Sequence, residues 1–178
     1  MIGLLRYVGL ANAAVWFGAT VFFTLGAGPA AFSDDMRRLL GEANHPYFSG
    51  AIAQVLISRL IRLQIVCAGI ALGHLFIEWA WLRKPLRRIE TYLAVALTGL
   101  TLLGAFVWQP EIRRLHRMKY AVNLPAPQKE AAAQQLRHWH ATAQVANLIG
   151  LIGLGCYLAR MARSSDGPRF VPAFKLRS

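Results

Sequence analysis

Three polar residues near the end of this 178-residue chain fall at spacings of four and three, His140, Gln144 and Asn147. Residues spaced this way share one face of an α-helix. An imidazole and two amides on one face could bind a ligand, pass a proton, or hydrogen-bond a neighbouring helix. Asn12, Thr20 and Thr24 sit in an early apolar stretch, and His74 and Glu78 in a later one. A second candidate set is His45, His116, His138 and His140, with Asp34, Asp35, Glu42 and Glu111 in the same connections. Imidazole with carboxylate suits zinc, copper or iron. No tight ligand pattern such as H-E-x-x-H occurs, so ordinary interfacial histidines are the plainer expectation. Nucleophile elbow, P-loop and dinucleotide fingerprint are all missing from the sequence. Cys67 and Cys156 each stand alone within apolar stretches, which reads as packing rather than disulfide or metal chemistry.

The elements that must carry these groups are set by apolar blocks. The chain is 56% hydrophobic with a mean hydropathy of +0.38, above the 45–50% or so of ordinary soluble domains. The excess is concentrated in Tyr7–Ser33, Leu63–Leu82 (broken only by Glu78), Thr91–Pro110 and His138–Ala159. Each is near the ~20 residues that carry a helix across the hydrocarbon core. None alternates as a barrel strand would. The expected fold is an all-α integral membrane protein, one four-transmembrane-helix bundle over 1–178, with helices at about 4–31, 51–82, 89–108 and 127–160 and a basic tail over 161–178. The second and fourth exceed one crossing and overhang the bilayer on the side away from the termini. Pro110 is expected to end the third, leaving Glu111 to Pro127 as the longest polar connection. Pro127 suits the first turn of the fourth.

The formal charge of +12 does not point to nucleic acid. The basic residues flank the apolar blocks, where they meet anionic headgroups, and no aromatic-and-basic module is evident. The 20 Lys and Arg divide ten and ten between the two sides. The dense turn Arg83-Lys84-Pro85-Leu86-Arg87-Arg88 favours cytoplasmic termini, and a bacterial inner membrane is the expected setting. Trp79, Trp81, Tyr92 and Tyr157 are expected to form one interfacial belt, and Trp108 and Trp139 the other.

Depth decides which polar groups can meet. At about 1.5 Å per residue, Asn12 and His74 fall at one level, and Thr20 or Thr24 with Gln144 and Asn147 at another. Two polar layers are expected, read first as inter-helix hydrogen bonds and second as a ligand or proton path. His74 and His140 differ in depth by roughly 16–18 Å and cannot share one haem. Gly69 and Gly73 form a G-x-x-x-G, and Gly9/Ala13, Ala14/Gly18 and Ala146/Gly150 add small residues four apart. These suit bundle packing, or self-association in the case of Gly69 and Gly73.

Trp16-Phe17-Gly18-Ala19-Thr20-Val21-Phe22-Phe23, with Pro29 and Phe32 beyond, resembles the first helix of the transmembrane protein 205-like family. Trp108-Gln109-Pro110-Glu111 and the pair His140 and Asn147 are similar to later motifs of that family. The resemblance implies a four-helix membrane fold and no established chemistry. The first helix is more loosely similar to copper-resistance D-type and HemJ-type proteins, but the histidine those carry early in helix 1 has no counterpart in Arg6–Ala13.

The first functional expectation is a small non-catalytic membrane protein, an accessory or interaction subunit whose partners are lipids and other subunits or a second copy. The alternatives are a redox protein binding haem, quinone or a metal ion, and a small transporter component. No cofactor is favoured.

Overall fold

The computed structural model describes residues 2–81 and 88–163, and its regular structure is helical throughout. The basic turn over 83–88, apart from Arg88, and the tail beyond Arg163 lie outside the described residues. Helix α1 runs Ile2–Phe22, passes through a π-helical stretch at Phe23–Ala27, and ends as Gly28–Ala30. A short helix, α2, follows at Asp34–Leu40. Ser33 caps it by accepting from the Met36 N–H at 3.2 Å, Asp34 and Asp35 sit in its first turn, and Gly41 ends it at φ +75°. Cap, acidic start and left-handed glycine stop are what a seven-residue helix needs to hold.

Helix α3 is His45–Ala80. It starts six residues before the expected Ala51, because Pro46 sits in the first turn, where a missing N–H costs nothing. Helix α4 runs Arg88–Leu103, through a second π-helical stretch at Gly104–Trp108, and on as Gln109–Lys119. The expected stop at Pro110 is therefore wrong, and the true connection is confined to the turns around Tyr120–Pro125. Helix α5 is Ala126–Arg163. The four long helices, α1, α3, α4 and α5, are each long and apolar enough to cross a membrane. At 36 and 38 residues, α3 and α5 would span about 54 and 57 Å against a core of about 30 Å.

The two π-helical stretches have one cause. Within a helix, a proline ring strikes the carbonyl four residues earlier and leaves it without a donor. For Pro29 that carbonyl belongs to Leu25, and for Pro110 to Phe106; both lie inside the π-helical stretches. The backbone widens instead of breaking. The Gly28 N–H bonds the Phe23 carbonyl and the Gln109 N–H bonds the Gly104 carbonyl, each five residues back.

Each long helix packs on two neighbours, α1 and α4 both lying against α3 and α5, so the bundle is a square with antiparallel sides. Its inner core holds Ala13, Ala68, Ala71 and Ala94 around Trp16, Leu97, Leu154 and Tyr157. Small residues let the backbones approach. Tyr157, at 1% exposure, belongs to this core and not to an interfacial belt, whereas Trp79, Trp81 and Tyr92 do face outward. A second core, Ile112, Leu115, Ala132 and Leu136, ties Gln109–Lys119 to the start of α5. That stretch of α4 carries charge at Glu111, Arg113, Arg114, Arg117 and Lys119, so it lies outside the hydrocarbon. Outward faces such as Val66, Val95, Ile149 and Ile152 are apolar and exposed, as lipid contact demands.

Candidate functional site

Between the two cores the bundle is not filled. A cavity of about 540 Å³ is bounded by α1, α3, α4 and α5 on the side away from the termini. Its floor is Trp16, Leu97 and Leu154, and its roof includes Gln109, Ile112 and His140. Phe23, Thr24 and Gly28 line it from the π-helical end of α1, and Gly104 and Trp108 from the π-helical part of α4. The proline-induced widening thus falls on the cavity wall from two sides.

The polar lining is uncharged: among the described residues no Asp, Glu, Lys or Arg borders the cavity. Its centre is a ladder on α1. The Thr20 hydroxyl donates to the Trp16 carbonyl at 2.8 Å, and the Thr24 hydroxyl to the Thr20 carbonyl at 2.7 Å. Each hydroxyl oxygen then accepts from an amide of a different helix. Gln64 Nε2 of α3 donates to Thr20 at 3.2 Å, and Asn147 Nδ2 of α5 donates to Thr24 at 2.9 Å. Two amides therefore flank the cavity, each with one N–H and one carbonyl still to satisfy. Thr101 turns its hydroxyl back to the Leu97 carbonyl at 2.9 Å. At the roof, Gln109 Nε2 donates to the Gln54 carbonyl at 3.2 Å and to Ser58 Oγ at 3.0 Å, and Arg113 reaches the same Ser58.

The sequence-derived stripe is divided by the structure. Thr20, Thr24, His140, Gln144 and Asn147 all border the cavity, Gln144 from its exposed edge. Asn147 meets Thr24, as the depth argument placed it. Asn12 and His74 do not meet. Asn12 Nδ2 donates to the Cys67 carbonyl at 2.9 Å, toward the opposite end of the bundle from the cavity roof. His74 is buried at 5% exposure with neither ring nitrogen hydrogen-bonded, against Gly9. A Cβ at Gly9 would stand 2.8 Å from its Nε2. Gln64 was missed because an uncharged amide does not interrupt an apolar block; its level with Thr20 is the signal that could have found it.

The four histidines do not converge as a metal set. Among the described residues no three His, Cys, Asp or Glu side chains are grouped so as to hold an ion. His138 is exposed, while His140 looks into the cavity. His116 is buried in the extramembrane part, stacked on Tyr47 at 5.5 Å between ring centres and beside Tyr120 at 5.1 Å. Tyr120 Oη donates to the Pro46 carbonyl at 2.9 Å, fastening the turn after α4 to the start of α3, where His45 lies. Burial, helped by Lys119 and His140, pushes the His116 imidazole below its ordinary range, against a backbone hydrogen bond at Tyr47. Gly69 and Gly73 would meet nothing within 4 Å if given a Cβ, so this G-x-x-x-G takes no part in bundle packing. Gly150 of the Ala146/Gly150 pair does, against Leu100.

Residues 12–121, more than half of the chain, match the family described as Domain of unknown function (DUF4149). No curated protein and no solved structure matches the chain.

Proposed function

The chain belongs to the DUF4149 family, and we propose that it is a non-catalytic membrane protein that holds a small hydrophobic molecule inside its helix bundle. The observation that carries this is the uncharged cavity of about 540 Å³. Ligand pockets fall in the range of about 300–1,000 Å³ and combine apolar walls with a few convergent polar groups. Among the described residues no nucleophile with an adjacent base lines it, which favours binding over turnover. The residues behind the resemblance to the transmembrane protein 205-like family, including Trp16, Thr20, Pro29, Phe32, His140 and Asn147, border this one space, so kinship with that family is part of the proposal. The termini are assigned to the cytoplasm on the basic turn.

Native mass spectrometry of the full chain released from mild detergent tests the reading. The expected result is a bound small lipophile, lost in an Ala146→Phe variant of unchanged helicity. The same adduct in both proteins, or none in either, would overturn it. A coloured adduct would shift the reading to a haem or quinone carrier.

A second reading, an accessory subunit, is favoured by Gly69 and Gly73 on α3, where an added Cβ would meet nothing within 4 Å. Close helix approach in membranes uses such small residues, and the partner would be another membrane helix or a second copy.

A further inference from the structure

We propose that the occupant is a neutral lipid whose carbonyl or hydroxyl head sits between Gln64 and Asn147, and that it arrives sideways from the bilayer between α1 and α5. The proposal rests on the binding function above and specifies its ligand and route.

The head follows from charge and hydrogen-bond capacity. An ionised head would lose its water and find no opposite charge among the described lining residues, a large penalty in a low dielectric. Phosphate and carboxylate lipids are disfavoured on that ground. What the site does offer is two amides on facing helices, each pinned by one N–H to a threonine of α1. The second N–H of each can donate to a lipid oxygen, and each amide carbonyl can accept from a lipid hydroxyl. The Thr20 and Thr24 hydroxyls spend their protons on the helix itself, so they orient the amides and the amides face the ligand.

The route follows from exposure. The floor is shut: Trp16 is 1% exposed and Leu154 3%. Above the roof stands the second core, with Leu115 at 0%. On the side, Phe32 after α1 and Leu148 of α5 border the cavity while 54% and 57% exposed. A residue that both lines a cavity and faces outward marks its mouth, and here the outside is lipid. The acyl or prenyl chain would lie through that mouth with the head innermost.

The test uses the full chain in phosphatidylcholine nanodiscs and a cetyl alcohol probe bearing a diazirine. Illumination should label α1 near Thr24–Phe32 and α5 near Gln144–Leu148, competed by plain cetyl alcohol and not by palmitate. Losing two amide contacts should cut labelling about tenfold in a Gln64→Leu, Asn147→Leu double variant. If that variant does not fold, Gln64→Met, which keeps the side chain's length, should still lower it. Leu148→Trp, at an exposed position, should slow labelling without loss of helicity. Labelling spread evenly over outward residues such as Val66, or unchanged in the amide variants, would overturn the head assignment. Equal competition by palmitate would overturn neutrality, and normal labelling of Leu148→Trp would overturn the route. In each case a native-mass adduct lost in Ala146→Phe would leave the binding function standing; no adduct at all would remove both.

Discussion

The Thr24–Asn147 bond links the first and last long helices, 123 residues apart in the chain. A double-mutant cycle with Thr24→Val and Asn147→Leu should give a coupling of about 0.6 kcal/mol, and at most about 1.7, the range for hydrogen bonds between membrane helices. Thermal unfolding in detergent of the single and double variants measures it. The pairing was legible because depth along antiparallel helices follows from the rise per residue. Asn12 with His74 was not. His74 is level with Gly9, about one helical turn from Asn12, and counting residues cannot resolve one turn when helix tilt is unknown. His116 makes a prediction of opposite chemistry. Its folded-state pKa is depressed, so the fold favours the neutral imidazole. The stabilisation is present above the unfolded value of about 6.5 and is lost as pH falls through the lower folded value. Amide exchange over Gln109–Lys119, corrected for intrinsic rate, should accelerate between pH 7.5 and 5.5, and His116→Gln should flatten that dependence.

At the scale of elements, two prolines shape the cavity. Pro29 and Pro110 each sit two residues beyond the end of a π-helical stretch. Restoring a backbone donor with Pro110→Ala should let α4 relax toward a regular helix. The variant should be more stable, by up to about 3 kcal/mol, and should lose the bound molecule. Thermal unfolding and native mass spectrometry on the same sample check both halves; a more stable variant that keeps its ligand would separate helix shape from binding. The long apolar blocks were readable because only helices of that length satisfy their own backbone in lipid. The continuation past Pro110 was not, because a proline read in isolation ends a helix, while neighbours packed around it can hold a widened turn.

At the scale of the molecule, the glycines divide inward from outward. Gly9 faces a filled interior, where a Cβ would stand 2.7 Å from Met161 Cε. Gly9→Val should therefore cost about 1–3 kcal/mol by overpacking, read as a lowered unfolding temperature. Gly69 faces open space, so Gly69→Val should leave that temperature unchanged. Any shift it causes in oligomeric state, read by in-membrane cross-linking, reports the Gly69/Gly73 face of α3 directly. The sequence could name both motifs but not their facing, since periodicity does not say which side of a four-helix square a small residue occupies.

The second π-helical stretch also sets an angular phase. Along α4 the buried face steps Glu90, Ala94, Leu97, Thr101, at alternating intervals of four and three. Carried on through a regular helix, that rhythm would reach Trp108, Glu111 and Leu115. Of the four buried positions beyond the stretch, Gln109, Ile112 and His116 each come one residue later, while Leu115 stays in the earlier rhythm. The widened turn absorbs one residue, worth about 100° of rotation. Deleting a single residue from Gly104–Trp108 would thus behave like a frameshift in space. Every side chain upstream would keep its place, while the whole polar extension would turn a different face to α5.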